Sequence, residues 1–138
     1  MKRTCILLPL LAAIVATFAG AARADGPRET VKPNFSQSLP HIPGKSLVAV
    51  EVSYPPGAAS VPHRHAQSAF IYAYVVSGRV VSQVGEQPER TYTAGESFHE
   101  VPGAHHFLSR NASESEPAKL LAVFIVDTDD EILTTPDR

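Results

Sequence analysis

The sequence is poor in several things. It holds one cysteine, Cys5, and no tryptophan. A single thiol excludes a disulfide framework within the chain and a cysteine-rich zinc site. Beyond the first two dozen residues there is no apolar stripe of helical period, which argues against a helix bundle. Charge is also sparse. Lys and Arg number 12 against 14 Asp and Glu, a formal net charge of −2, with no basic cluster. Such a chain is a poor partner for a phosphate backbone, and no nucleic acid is expected. No repeat of solenoid length is present.

The one long apolar run lies at the start. Lys2 and Arg3 precede the apolar stretch Ile6 to Phe18, and Ala22-Arg23-Ala24 supplies the small-x-small pattern of a cleavage site. Residues 1–24 therefore read as a signal peptide and Asp25 as the mature start, in the periplasm or secreted, with no stable membrane anchor after cleavage. The run is short for a membrane span and contains Pro9. Removing Lys2, Arg3 and Arg23 with no acid takes the formal charge from −2 to −5. Cys5 leaves with them, so the mature chain has no cysteine.

Residues 25–44 carry four prolines and little periodicity and read as an extended N-terminal arm, not a helix. From Leu47 the texture changes. LVAVEVSY is rich in β-branched residues and closes on Pro55-Pro56-Gly57. SAFIYAYVVSGRVVSQVG reads as two strands joined in a hairpin near Ser77-Gly78. Short strands follow, cut by Gly95 and Pro102-Gly103, and then an apolar run from Lys119 to Asp127. Residues 129–138 form a polar tail. Short strands at this spacing predict an all-β sandwich or barrel. On the strand of Phe70, Tyr72 and Tyr74, those aromatics share one face, so Ile71, Ala73 and Val75 are expected to face an apolar interior.

Chemistry concentrates in the histidines. In His63-Arg64-His65 the two imidazoles point the same way on a strand, and Arg64 points opposite. Two neutral imidazoles at that spacing can chelate one metal ion. His105 and His106 follow the Pro102-Gly103 turn, and strand alternation allows only one of them to face inward. His99 is a candidate supporting residue, whereas His41 reads as solvated. Glu96 and Glu100 flank turns and also read as solvated, and Arg79 and Arg110 as surface residues. Asn111-Ala112-Ser113 matches a glycosylation acceptor pattern.

Gly57, five residues, His63-x-His65 and the closing Gly78 resemble the first motif of the cupin superfamily. Gly95, six residues, then Pro102-Gly103 and a histidine resemble the second. The resemblance covers about residues 44–128, with 45–128 as the cupin domain, and is closest to small exported bacterial cupins. It implies a conical β-barrel, also described as a double-stranded β-helix or jelly roll, made of two facing antiparallel sheets. The family's second-motif histidine follows a glycine by three positions, which selects His106, with His105 as the alternative. The family's glutamate ligand, seven residues before the closing glycine, falls on Ile71, which cannot ligate. The stretch between His65 and Gly78 is also about two residues longer than the pattern, and the usual proline falls on Val101. The expectation is a divalent transition metal (Fe, Cu, Ni or Zn) on His63, His65 and His106, with no side-chain carboxylate. Water or Gln67 would take the vacant place, Ser68 being the next polar neighbour. The resemblance further implies a small-molecule partner and allows a homodimer. Its activity reads as a dioxygenase-type oxidoreductase, against a non-enzymatic ligand- or metal-binding module or a metal-assisted isomerase or hydrolase.

Overall fold

The computed structural model describes residues 26–137, and the expected leader over 1–24 lies outside them. Among the described residues there is no helix, and ten strands form two five-stranded sheets. The strands are β1 (Thr30–Ser38), β2 (Lys45–Tyr54), β3 (His63–His65), β4 (Phe70–Ser77) and β5 (Arg79–Val84), then β6 (Arg90–Thr93), β7 (Ser97–Glu100), β8 (His105–Asn111), β9 (Ala118–Asp127) and β10 (Thr134–Pro136). One sheet runs β1-β2-β9-β4-β7 and the other β10-β3-β8-β5-β6, and every named pairing is antiparallel. The two sheets face each other without being closed into one ladder, in the double-stranded β-helix arrangement.

Period-two patterning builds the interior. Along β4, Ile71, Ala73 and Val75 are fully buried, whereas Phe70 and Tyr72 stay exposed on the outer face. The same alternation buries Val50, Val52 and Tyr54 on β2 and Leu120, Phe124 and Val126 on β9. Each such side chain removed from water contributes roughly 1.5–3 kcal/mol, so these three central strands carry most of the fold's apolar stabilisation.

The predicted hairpin at Ser77-Gly78 does not form. β4 and β5 belong to different sheets, and Gly78 turns the corner between them. Its φ is +71°, and a Cβ there would lie 2.5 Å from the Pro117 carbonyl oxygen and 2.8 Å from Ala118 Cα. Only glycine fits so close a corner. The proline-rich arm is extended, as expected, and much of it is β1, which pairs along β2. The register slips between Pro33 and Phe35, and β1 is exposed along its whole length. Three residues of the polar tail form β10 and pair with β3, placing Thr134 opposite His65.

Asn111 is not an open glycosylation acceptor. Its side chain is buried, with Nδ2 donating to the carbonyls of Glu116 (2.7 Å), Pro55 (3.1 Å) and Tyr54 (3.3 Å). Its Oδ1 accepts from the Ser113 amide.

Candidate metal centre

β3 is three residues long, and its alternation decides the site. His63 and His65 share the inward face, and His63 is paired directly with His106 on β8. Ring centroids lie 4.8 Å apart for His63 and His65, 5.2 Å for His63 and His106, and 6.0 Å for His65 and His106. One ligand atom from each of the three falls within 4.8 Å of the others, close enough to hold a metal ion. His105, paired with Arg64, takes the opposite face of β8, where Nε2 meets the Asp137 carboxylate at 2.7 Å. Strand alternation thus brings His106, and not His105, to the cluster.

The structure departs from the expected carboxylate-free cluster. Glu100, at the end of β7, is 3% exposed. Its Oε2 lies 2.9 Å from His65 Nε2 and its Oε1 3.4 Å from His106 Nδ1. The ladder explains its position, because Glu100 is the direct partner of Ile71 on β4. The carboxylate missing from position 71 stands one strand over on the same inward face. Gln67 does not fill that place. It is exposed and packs over Gly103, where a Cβ would meet its side chain at 2.5 Å. Ser68 is turned toward Asp130. His99 is exposed and stacks on Phe70, His41 is exposed between β1 and β2, and Arg110 faces Glu89 at 3.4 Å. Glu96 stays outside the site, as expected, and pairs with Arg90 at 3.0 Å.

Neighbouring groups orient the rings. His63 Nδ1 lies 2.8 Å from the Val61 carbonyl, which can only accept, so Nδ1 carries the proton and Nε2 keeps its lone pair. His106 Nε2 meets the Ser82 hydroxyl at 2.8 Å, which leaves Nδ1 toward the cluster. Burial lowers the His63 pKa below 6.5, and the nearby His106 and His65 add to this against the Val61 hydrogen bond. A neutral imidazole is the form that ligates. Burial alone would raise the Glu100 carboxyl, but the adjoining His106 and His65 outweigh it and hold the pKa down to about 2.

The donor set fits a metal. Both ring nitrogens of His65 and Oε2 of Glu100 are buried without a hydrogen-bond partner, although Nε2 and Oε2 are only 2.9 Å apart. Close approach without hydrogen-bond alignment is the arrangement of donors aimed at a shared third point. Three imidazoles and one carboxylate suit a divalent transition metal and lower the net charge at the centre to about +1.

The cluster opens into a cavity of about 580 Å³ between the sheets. Its wall is mostly apolar, with Val50, Val52, Ile71, Leu120 and Phe124 from the first sheet. Ile132, Leu133 and Pro136 add a further wall from the tail.

A β-sandwich of this topology with a three-histidine cluster on β3 and β8 defines a small metal-site barrel protein. Residues 50–124 match the family described as Cupin domain, more than half of the chain, and the protein belongs to the cupin family. Among solved structures it is similar to TT1209 from Thermus thermophilus, at 29% identity and a TM-score of 0.58, covering 72% of this chain and 84% of that one. It is also similar to a conserved protein with a double-stranded β-helix domain from Klebsiella pneumoniae, at 16% identity and a TM-score of 0.63, covering 84% and 90%. An oxalate oxidase in complex with glycolate shares the fold at 19% identity and a TM-score of 0.58, covering 75% of this chain and 53% of that enzyme. No curated protein matches the sequence.

Proposed function

We propose that this chain is an exported, metal-dependent cupin oxidoreductase that adds both atoms of dioxygen to a small organic substrate bound through an anionic oxygen. The observation that carries the reading is the buried pair His65 Nε2 and Glu100 Oε2, 2.9 Å apart without an aligned hydrogen bond, at the head of a mostly apolar cavity. His63, His65, His106 and Glu100 would hold the metal. A divalent transition metal there supplies a positive centre that favours the ionised form of a substrate enol or phenol and gives access to dioxygen chemistry.

The chain's own residues do the rest. Val61 fixes the tautomer of His63, and Val61 and Ser82 hold the rotation of the His63 and His106 rings, so little reorganisation accompanies metal loading. Glu100 stays anionic and neutralises part of the metal charge without closing the site. The mostly hydrocarbon wall accommodates an apolar body beside the imidazoles. The cavity size admits a molecule of one or two rings, not a polymer.

The test is an oxygen electrode. Protein reconstituted separately with Fe²⁺, Cu²⁺ or Ni²⁺ is given small enolisable and phenolic compounds. Substrate-dependent oxygen uptake that disappears in His65→Ala is expected. Retained metal with no uptake across the panel would leave a binding module in place of an enzyme.

A further inference from the structure

The cavity has a second polar group, reached from the imidazoles through Ser82, which bonds His106 and pairs with Ser109. Tyr54, Ser60, Ser109 and Glu29 make up this group. The three hydroxyls satisfy one another. Tyr54 Oη lies 2.7 Å from Ser109 Oγ and 3.1 Å from Ser60 Oγ. Glu29 is different, because its Oε2 is shielded from solvent and has no hydrogen-bond partner.

This placement is not the accident of a loose segment. Arg28 bridges Ala59, the Ala59 amide donates to the Pro27 carbonyl at 3.1 Å, and Ala59 also bridges Arg110 of β8. On the other side Thr30 pairs with Ser53 of β2. Glu29 sits where the chain crosses from one sheet to the other, pinned at both neighbours. Burial raises the Tyr54 phenol, and the Glu29 and Glu100 charges contribute in the same direction, so Tyr54 is within electrostatic reach of both carboxylates. A carboxylate oxygen taken from water without a donor is destabilising, and a ligand that brings a donor recovers that cost. The neighbouring hydroxyls are already engaged with one another, and for a carboxylate in a mostly apolar cavity a cation is the most favourable donor.

We infer that Glu29 recognises a protonated amino group on a ligand held in the same chamber as His63, His65 and His106. The ligand class is a small, mainly apolar amine. The inference rests on reading this cavity as the ligand chamber, but it does not need the metal.

The test therefore uses metal-free protein. Wild type and Glu29→Gln are titrated by calorimetry with 2-phenylethylamine and with 2-phenylethanol, and both proteins are separately titrated with Zn²⁺. Wild type should bind the amine about tenfold tighter than the alcohol. Glu29→Gln should lose that preference with unchanged Zn²⁺ affinity and circular dichroism, and Glu29→Asp, which keeps the charge, should retain part of it. Equal affinity for the two probes in wild type, no binding of either, or a preference that survives in Glu29→Gln would overturn the inference. Absence of Zn²⁺ binding to wild type, with the amine preference intact, would remove the metal reading alone.

Discussion

The two sheets do different work. In the sheet of β3, β5 and β8, the buried positions include His65, Ser82, His106, Ser109 and Asn111. In the facing sheet of β2, β9 and β4, they are nearly all hydrocarbon, and the buried polar groups of that sheet are Ser46 and, on the edge strand β7, Glu100. One sheet presents donors and the other presents a wall. Glu100 is the exception that joins them, a charge delivered from the edge of the apolar sheet onto the imidazoles of the polar one. A two-layer fold can thus hold polar chemistry in a dry interior, because each polar group meets another polar group while the opposite layer supplies the packing.

Paired substitutions separate the two roles. Leu120→Ala empties a nearly fully buried position on β9 and should cost about 3 kcal/mol in urea unfolding, with Zn²⁺ affinity almost unchanged. His65→Ala should weaken Zn²⁺ binding on the order of a hundredfold or more while circular dichroism stays native. If Leu120→Ala empties the metal site, or His65→Ala unfolds the protein, the division between the sheets is wrong.

The exception can be moved. Glu100→Gln should weaken Zn²⁺ binding about tenfold or more. Ile71→Glu alone sets two carboxylates opposite each other on the β4–β7 ladder and should destabilise the metal-free protein by about 2 kcal/mol. Combined with Glu100→Gln, Ile71→Glu should restore most of the lost affinity, because both positions face the same interior. A double variant as weak as Glu100→Gln would refute that equivalence.

Acid acts on both sheets through the same cluster. His63 has a folded pKa below 6.5, so the unfolded chain takes up its proton first and stability falls as pH drops through 6.5. Glu100 is held down to about 2 against 4.5, so its contribution is present above 4.5 and is lost as pH falls toward 2. Urea unfolding of metal-free protein from pH 7 to 3 should show declining stability throughout, with the part below 4.5 flattened in Glu100→Gln. A constant stability over that range would contradict the shifts. The smallest effect belongs to His105→Ala, on the outer face of β8. It removes the contact with Asp137 at a cost of up to about 1 kcal/mol and should leave Zn²⁺ affinity within about twofold.

The histidine register was legible from alternation together with the motif spacing after Gly103, which selected His106 over His105. His63 and His65 are two apart, and His105 and His106 must face opposite ways. The inward set Ile71, Ala73 and Val75 followed from the same alternation. Glu100 was not legible as a site residue because a carboxylate between Gly95 and Pro102 looks like a solvated turn group. The available signal was Phe98, two positions earlier on a four-residue strand, whose inward lean carries Glu100 with it. Nor does a turn such as Ser77-Gly78 state which sheet the next strand joins. That choice is made by the packing of Gly78 against Pro117 and Ala118, about forty residues downstream.

The long edge of the molecule has a consequence for its behaviour in concentrated solution. Of the four strands that end the sheets, β6 and β7 have four residues each and β10 has three, too short to template a neighbour, whereas β1 has nine and is fully exposed. A flat strand of that length invites another chain to dock along it and propagate a fibre. Pro33 lacks an amide hydrogen, and the register slip that follows it breaks the even spacing of the edge. The proline that in the sequence marked only an extended arm thus also sits where the regularity of the longest edge is interrupted.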